Sequence, residues 1–324
     1  MEKTAKRAKK GERLSGTLTT GQKIWQNKWL YVMFLPMLVL LLIFNYYPMY
    51  GVQLAFKDFN LALGITGSPW TKNYGFNNFI RIFKNPDFNR ALKNTIEISL
   101  SRLVFEFPVP IILALLINEI RSSKFKRVVQ TVYTFPHFIS WIIVYGLFFN
   151  IFNSTGIYNQ LLGVFGLPSQ QILGDPKTFR PMLYISNNWK EMGWSSIIYL
   201  ASITGISPDL YEAARIDGAS RRQLVTRITL PCILGTIAIM FTMRVSSLLS
   251  AGFDQIFNMY NPGVYEVADV LDTLIYRSSF SASGLGARQF GVTTAMGLFC
   301  SVIGFTLLML ANTLVKKMTG HGIY

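Results

Sequence analysis

Long uncharged apolar runs, separated by polar stretches, constrain this chain more than any other feature. The run from Trp29 to Phe56 contains no charged residue, and five further apolar runs follow it. A helix needs about 20 apolar residues to cross the hydrocarbon of a bilayer. Only 15% of the 324 residues are charged, whereas a soluble protein carries about 25%. The sequence therefore predicts an all-α integral membrane protein with six transmembrane helices.

The six predicted helices differ in the charge that they carry. Arg102 and Glu106 lie four residues apart in the second helix and share a face, which predicts an internal ion pair. Charge within the hydrocarbon is costly and usually functional. Charged residues also fall within the fourth and fifth helices: Lys190, Glu191 and Arg244. The predicted bounds are about Leu30–Tyr50, Leu92–Asn118, Val128–Phe152, Phe179–Ile203, Cys232–Phe253 and Phe290–Val315.

The distribution of positive charge predicts the orientation of the chain. The formal net charge is +15, and Lys and Arg are concentrated in residues 1–28, 119–127 and 205–231 and near the C-terminus. Cytoplasmic loops of membrane proteins are enriched in Lys and Arg, so both termini are expected in the cytoplasm. A nucleic-acid-binding protein could carry this charge, but it would not contain six apolar runs. Lipid is therefore expected as a partner, and nucleic acid is not.

Cysteine and histidine do not predict a metal site. Cys232 and Cys300 lie in or beside apolar segments without the spacing of metal ligands, which indicates small packing residues. The two histidines, His137 and His321, form no cluster with acids or nucleophiles in the sequence. A membrane-embedded enzyme would need such a cluster. His137 follows Pro136 and is expected to be a hydrogen-bonded residue at a helix start.

The polar stretch between the fourth and fifth helices predicts two short capped helices. Ser207-Pro208-Asp209 combines a Ser N-cap, a Pro at the first helical position and an acid in the first turn. The helix should stop at Gly218, because glycine adopts a left-handed end conformation at low cost. Ser220 and Gln223 form a capping box for the second helix.

The same stretch carries a specific motif. It reads Glu212-Ala213-Ala214, three residues, Gly218, nine residues, Ile228, one residue and Leu230-Pro231. This pattern resembles in full the EAA motif of permease subunits of bacterial ABC importers. Three further segments resemble the carbohydrate-importer branch, particularly permeases of the polysaccharide or LplB-like type: ALKNTIEISL (91–100), TVYTFPHFISWII (131–143) and NNWKEMGWSSIIYLASITGISPDLYEAARIDGAS (187–220).

The resemblance implies a six-helix permease of the MetI-like fold in the bacterial inner membrane. It covers the permease domain (29–320), which contains a cytoplasmic coupling loop (205–231). The charge of the sequence alone predicts a basic cytoplasmic arm (1–28) before this domain, and a short tail (321–324) follows it. The implied partners are a second permease subunit, two ATP-binding cassette ATPase subunits and an extracytoplasmic solute-binding protein. The chain itself is then not an enzyme and holds no cofactor, because ATP and Mg are bound by the ATPases. The absence of a Gly-Lys dipeptide, and so of a Walker A loop, agrees with this.

The resemblance also implies that the first short helix docks in a cleft of an ATPase. A helix with a thin face can sit deep in such a groove, and Ala213 with Ala214 provides one. Movement of this helix would be transmitted to the flanking transmembrane helices and open the core alternately to the two sides. The residues expected to dock are Leu210, Glu212, Ala213, Ala214, Asp217, Gly218 and Arg221.

Polar and aromatic residues of the fourth and fifth helices form the predicted substrate path, because aromatic faces and amides suit sugar rings and hydroxyls. The path residues are Asn187, Asn188, Trp189, Lys190, Trp194, Arg244 and Ser247. The alternative is that these charged residues only hold packing, for example when Lys190 and Glu191 pair with the partner permease. The external acids Glu266, Asp269 and Asp272 are expected to be solvated or to face the binding protein.

The resemblance implies an oligosaccharide as the cargo. Its branch also includes importers of acidic polysaccharide fragments, such as those of alginate or rhamnogalacturonan, and Lys190 and Arg244 would suit a carboxylated sugar. Import of a non-sugar solute stays open as an alternative. A stand-alone secondary transporter is a further alternative, but it would need no EAA helix and often shows inverted repeats, whereas this sequence shows no internal repeat.

Overall fold

The computed structural model describes residues 20–280 and 286–320. The tail (321–324) and all but the end of the basic arm (1–28) lie outside the described residues. Regular structure in the described ranges is helical, apart from an isolated bridge between Lys57 and Trp70. The chain divides into two compact units, one up to Gln53 and one from Leu54 onward.

The first unit is built around one apolar helix. It contains α1 (Thr20–Gln26), α2 (Lys28–Leu41), a π-helical turn (Leu42–Tyr46) and α3 (Tyr47–Met49). No residue of α2 is buried within the chain, although the helix is almost entirely apolar. Such a surface suits lipid, because a helix satisfies its own backbone hydrogen bonds in hydrocarbon. The predicted first helix is therefore present, with a π-helical turn in its second half.

The second unit consists of sixteen further α-helices in the described residues, joined in places by 3₁₀ or π-helical turns. The 3₁₀ turns are Tyr50–Phe56, Phe135–Phe138 and Pro262–Val264, and a π-helical turn is Val225–Thr229. The α-helices are α4 (Gly64–Gly67), α5 (Asn77–Lys84), α6 (Pro86–Phe105), α7 (Pro108–Asn118), α8 (Ser123–Thr134), α9 (Trp141–Phe152), α10 (Ile157–Val164), α11 (Pro176–Thr204), α12 (Pro208–Ile216), α13 (Arg221–Leu224), α14 (Leu230–Cys232), α15 (Leu234–Ser246), α16 (Phe253–Met259), α17 (Tyr265–Ala268), α18 (Leu271–Phe280) and α19 (Gly286–Thr319).

Two predicted helices are interrupted by proline. The second breaks between α6 and α7 at Glu106 and Phe107, since Pro108 and Pro110 each remove a backbone donor and crowd the preceding turn. The third breaks between α8 and α9, where Pro136 lies in a 3₁₀ turn and Ile139 is extended. The sequence placed His137 at a helix start, and this prediction is wrong. His137 lies at a break inside the predicted third helix.

The fifth and sixth predicted helices also differ in length from the structure. The fifth ends at Ser246, where the hydroxyls of Ser246 and Ser247 bond to carbonyls three residues earlier and compete with the helix. Gly252, in the left-handed region at φ 86°, then starts α16. The sixth is longer than predicted and spans Gly286–Thr319.

α11 is the central helix of the second unit. It packs against α6, α7, α8 and α15, and small residues on it allow close approach. Phe179 and Leu183 near its start join Ile256 of α16 and Val270 in one apolar cluster. Tyr199 and Ile203 near its end join residues of α7 and Ile233 in another. α11 therefore connects the two ends of the unit.

Among the described residues, four segments are long and apolar enough to cross a membrane: Lys28–Phe56, Pro86–Asn118, Trp141–Val164 and Gln289–Met318. A fifth candidate is the pair Arg221–Cys232 and Leu234–Ser246, bent by 60°. α11 is 29 residues long but is not among them, because Asn187, Asn188, Lys190 and Glu191 lower the hydropathy of its middle. The count of six spans therefore stays a prediction.

The expectation that the external acids are solvated is wrong for Asp269. Its carboxylate is fully buried, accepts hydrogen bonds from Arg277 at 2.7 and 3.1 Å, and lies 3.5 Å from Arg90. Burial alone would lower the pKa of the Arg277 guanidinium, but the hydrogen bonds and charge of Asp269 outweigh burial and raise it. Asp272 accepts a 3.2 Å hydrogen bond from Ser250, while Glu266 is exposed. Asp269 thus braces the segment that the sequence assigned to an external loop.

Candidate functional site

The coupling segment, 205–231, folds as its capping residues predict. Ser207 caps α12 by accepting a 3.3 Å hydrogen bond from the Asp209 N–H. The helix ends before Gly218, whose φ of 80° lies in the left-handed region. Ser220 and Gln223 form the predicted capping box at α13. Caps and turn together fix the angle at which α12 leaves the chain.

One face of α12 is thin and carries apolar side chains that are exposed. Leu210, Ala213 and Asp217 recur at the i, i+3, i+7 spacing by which a helix presents one face to a groove. Leu210 is 49% exposed and the neighbouring Ile216 is 87% exposed. Ile216 was missed by the sequence reasoning, and its signal was an apolar side chain placed between charges. This face can pack into an apolar groove of another protein.

The side chain of Tyr211 fastens α12 to the rest of the unit. Its hydroxyl lies 2.9 Å from that of Thr229, which is buried in the π-helical turn before α14. A cavity of about 800 Å³ lies between α12 and the turn after α7, and Glu212, Arg215 and Arg221 are among the residues that line it. The contact between Tyr211 and Thr229 therefore ties α12 to the turn that leads into α14.

A second feature is a cavity of about 460 Å³ inside the second unit. It lies where α7, α11 and α15 face one another, beside the break between α6 and α7. Its polar and charged lining residues are Arg102, Glu106, Asn187, Asn188, Glu191, Ser195, Tyr199, Arg244 and Ser247. Its volume falls within the range of small-molecule sites, about 300–1,000 Å³, and its lining is more polar than that of most such sites.

Glu106 lies at the centre of this lining. Its Oε2 accepts a hydrogen bond of 2.6 Å from Asn187 Nδ2 and one of 3.1 Å from Arg244 Nη2. The predicted pair with Arg102 is present, with 3.5 Å between Arg102 Nε and Glu106 Oε1. Arg102 also donates to Gln255 Oε1 of α16. The sequence predicted the Arg102 pair but not the links to Arg244, Asn187 and Gln255, which depend on helix packing.

The predicted path residues separate into two groups. Asn187, Asn188, Arg244 and Ser247 line the cavity. Trp189, Lys190 and Trp194 are absent from its lining. Lys190 is buried, and its Nζ donates to the His137 carbonyl at 2.6 Å and to Glu191 Oε1 at 3.0 Å.

Trp194 and Trp189 make contacts with other aromatic side chains. The Trp194 ring stacks on His137, with 4.5 Å between centroids and an interplanar angle of 3°. The Trp189 ring lies edge-on to Phe148 at 6.0 Å. Lys190 and Trp194 therefore contact the break between α8 and α9, Trp189 contacts α9 itself, and Glu191 lines the cavity beside this group.

A metal-binding cluster is not found in the part of the chain that the structure describes, since no three His, Cys, Asp or Glu side chains come together there.

The family described as "Binding-protein-dependent transport system inner membrane component" matches residues 106–320. The chain belongs to this family. It is 42% identical over 303 residues to the polygalacturonan/rhamnogalacturonan transport system permease protein YteP of Bacillus subtilis, covering 93% of this chain and 92% of YteP. It is 41% identical to the protein LplB of the same organism over 316 residues, covering 95% and 96%.

Solved structures give the same result. The chain is similar to a chain of a bacterial alginate ABC transporter in complex with an alginate pentasaccharide-bound periplasmic protein. The TM-score is 0.82 at 41% identity, covering 94% of this chain and all of that one. A second structure, of a bacterial ABC transporter involved in the import of the acidic polysaccharide alginate, gives 0.82 at 43% identity, covering 92% and 98%.

The family gives the class of the protein. It is an inner-membrane permease subunit of an ABC importer with the MetI-like fold, a channel-like protein and not an enzyme. Its partners include an ATPase and a binding protein. The predictions of fold and class made from the EAA motif are confirmed.

Proposed function

We propose that this permease imports acidic oligosaccharides by alternating access, with α12 docked in a cleft of an ATPase subunit. The observation that carries the docking is the thin face at Ala213, flanked by the exposed apolar side chains of Leu210 and Ile216. Exposure of such an apolar pair to water is unfavourable, and burial in an apolar groove of another protein removes this exposure. The tie between Tyr211 and Thr229 then carries the ATPase motion to the core.

The complete transporter, in this proposal, contains a second permease and two ATPase subunits. ATP and Mg are bound by the ATPases, and this chain holds no cofactor. Six spans place both termini on the same side of the membrane, which in this proposal is the cytoplasm. One of the six spans is α11, whose charged residues face the protein interior. An extracytoplasmic binding protein delivers the cargo to the opposite side.

Two observations support an acidic saccharide as the cargo. The first is the cargo of the similar proteins: YteP is named for polygalacturonan and rhamnogalacturonan, and the similar structures are those of alginate transporters. The second is Arg244, which lies in the cavity lining with 38% of its side chain exposed. A planar guanidinium with free donors matches a carboxylate in shape and charge.

Reconstitution of the complete transporter in proteoliposomes, with its binding protein and ATP, tests both parts. Labelled oligogalacturonate should accumulate inside, and Ala213→Arg should reduce uptake by at least about tenfold through lost ATPase docking, equivalent to ~1.4 kcal/mol. Ala62→Arg is the control, because Ala62 is also exposed but lies outside the coupling segment.

The two parts of the proposal fail separately. Normal uptake by the Ala213→Arg transporter would contradict docking through this face. Uptake of neutral oligosaccharides in preference to oligogalacturonate, or of neither, would contradict the acidic cargo and leave the docking result standing.

A further inference from the structure

Glu106 is a buried carboxylate at a break in a membrane-spanning segment. It follows the last residue of α6, and only 5% of its surface is exposed. Pro108 lacks a backbone N–H and ends the regular helix here, with Glu106 as the C-cap of α6. Broken helices beside a cavity are places where membrane transporters bind and move.

The hydrogen bonds of the Glu106 carboxylate are unequally distributed. Both of them, from Asn187 and Arg244, go to Oε2. Oε1 is buried without a hydrogen-bond partner, and Arg102 Nε, at 3.5 Å, is likewise without one. A buried polar atom without a partner costs free energy. The carboxylate is therefore imperfectly held, and a small rotation towards Arg102 would satisfy both atoms.

The guanidinium of Arg244 uses only part of its hydrogen-bonding capacity on Glu106. Arg244 donates one hydrogen bond to Glu106, 38% of its side chain is exposed, and it is one of the residues that line the cavity. The neighbouring polar lining of Asn188, Ser195 and Ser247 is neutral, and Glu191, the other carboxylate of the lining, is paired with Lys190 at 3.0 Å. Two arginines share one carboxylate here, since Glu106 lies between Arg102 and Arg244. This local excess of positive charge favours an additional anion.

The opposite end of this network holds a second break. Arg102 donates to Gln255 Oε1, and a Cβ at Gly252 would lie 2.6 Å from Arg102 Nη1. Gly252 is in the left-handed region between α15 and α16. Glu106 thus links the α6–α7 break to the middle of α11 through Asn187 and to α15 through Arg244, while Arg102 links the same break to α16.

We propose that a carboxylate of the transported saccharide replaces Glu106 on Arg244, and that this exchange releases the α6–α7 break from α15. The inference depends on the proposed acidic cargo. One carboxylate leaves Arg244 as another arrives, so the number of ion pairs is conserved and the freed Glu106 keeps Arg102. A neutral saccharide offers no replacement and leaves the link closed. Only a ligand that binds the two states differently can shift their populations.

The exchange makes Glu106 a competitor of the substrate as well as a lock on the empty state. Removing its charge should therefore have two effects in the same direction. The resting transporter should populate the released state without substrate, and the uronate should bind Arg244 more tightly because it no longer displaces Glu106. A purely structural role for Glu106 predicts weaker binding instead.

The test uses the complete transporter in proteoliposomes with its binding protein, and compares tetragalacturonate with its methyl ester. The ester keeps the sugar chain and removes the charges. In the unchanged protein, tetragalacturonate should stimulate ATP hydrolysis and the ester should not. In Glu106→Gln, basal hydrolysis should rise and the half-saturating tetragalacturonate concentration should fall, each by about fivefold to tenfold, the usual size of a coupling between sites.

Glu97→Gln is the matched control, because Glu97 of α6 also pairs with an arginine, Arg180 of α11, at 2.6 Å. Glu97 does not line the cavity. The basal rate and half-saturation of Glu97→Gln should not change. Arg244→Gln opens the same link from the other side, so basal hydrolysis should rise without tighter uronate binding. This variant keeps the test decisive if Glu106→Gln does not assemble.

The outcomes separate the inference from the proposed function. Equal stimulation of the unchanged protein by tetragalacturonate and its ester would overturn the acidic cargo and, with it, the exchange. Selective stimulation by the acid, together with an unchanged basal rate or weaker uronate binding in Glu106→Gln, would overturn the exchange alone. An unchanged basal rate in Arg244→Gln would overturn it as well.

Discussion

The backbones of Gly193 and Tyr133 are in contact, and a Cβ at position 193 would lie 1.9 Å from the Tyr133 carbonyl oxygen. This is the place where α11 crosses the end of α8, directly before the break at Pro136. A contact with backbone cannot be relieved by rotating a side chain. The position of the broken third helix against α11 therefore depends on this glycine.

Gly193→Ala should destabilise the protein by at least about 1–3 kcal/mol, the usual cost of overpacking. Thermal unfolding of the purified complex in detergent measures it. Gly146→Ala is the control, because Gly146 lies in α9 with no atom near the added Cβ. In a helix this control should be neutral or stabilising by about 0.5–1 kcal/mol. Equal unfolding temperatures for the two variants would contradict the close contact.

His137 offers a second test of the same break. Its ring stacks on Trp194, and its Nδ1 lies 2.7 Å from Glu191 Oε2. His137→Phe keeps an aromatic ring on Trp194 and loses only the polar contact, whereas His137→Ala loses both. We expect the Ala variant to be less stable than the Phe variant by about 0.5–1.5 kcal/mol, the value of an aromatic pair beyond its burial.

The matched readout for this pair is again thermal unfolding, with uptake measured alongside. If the Phe variant were as unstable as the Ala variant, the stacking with Trp194 would contribute nothing and the Glu191 contact would carry the stability. Neither variant removes the link between Lys190 and the His137 carbonyl, since that link uses the backbone.

The buried acid at position 269 leads to a third prediction. Asp269→Asn removes the charge that faces Arg277 and Arg90 and should destabilise the protein by about 3 kcal/mol, the low end for breaking a buried pair. The low end applies because the Arg277 side chain is 29% exposed and can partly rehydrate. Glu266→Gln, three residues earlier and exposed, should change stability by less than about 0.5 kcal/mol. Similar losses in both variants would contradict the brace.

The contrast between Asp269 and Glu266 shows where sequence reasoning ended. Local chemistry was readable: the Ser207 cap, the Gly218 turn and the Ser220–Gln223 box depend on neighbours within a few residues, and the structure contains all three. Burial of Asp269 depends on Arg277 and on Arg90, which lies far away in the chain. Alternating polar residues in a loop carry no signal for such a contact.

The candidate sites divide in the same way. The proposed docking face of α12 is local, and the EAA motif predicted it. The cavity cluster joins Glu106 at the α6–α7 break, Asn187 of α11 and Arg244 of α15. Charge in an apolar segment marked Glu106 and Arg244 individually, but only packing brings them within 3.1 Å. The sequence shows the prolines that break the second and third predicted helices, but it did not predict where those helices would be interrupted.

Gly218→Pro should uncouple ATP hydrolysis from transport. Gly218 ends α12 at φ 80°, its N–H bonds to the Arg215 carbonyl at 3.0 Å, and the Ala219 N–H bonds to the Ala214 carbonyl at 2.9 Å. Proline fixes φ near −65° and removes the first of these donors. The turn must then open and α12 must point elsewhere. We expect the chain to insert and assemble, while uptake per ATP hydrolysed falls by about tenfold or more.

Gly166→Pro is a closely matched control for this experiment. Gly166 also ends a helix in the left-handed region, at φ 69°, its N–H bonds to the Gly163 carbonyl at 3.1 Å, and Leu167 bonds back to Leu162 at 2.9 Å. The two prolines should therefore cost similar stability, because they open the same kind of turn. Only the change at Gly218 moves α12. Tight coupling in Gly218→Pro, or equal uncoupling in both variants, would show that the direction of α12 does not carry the drive.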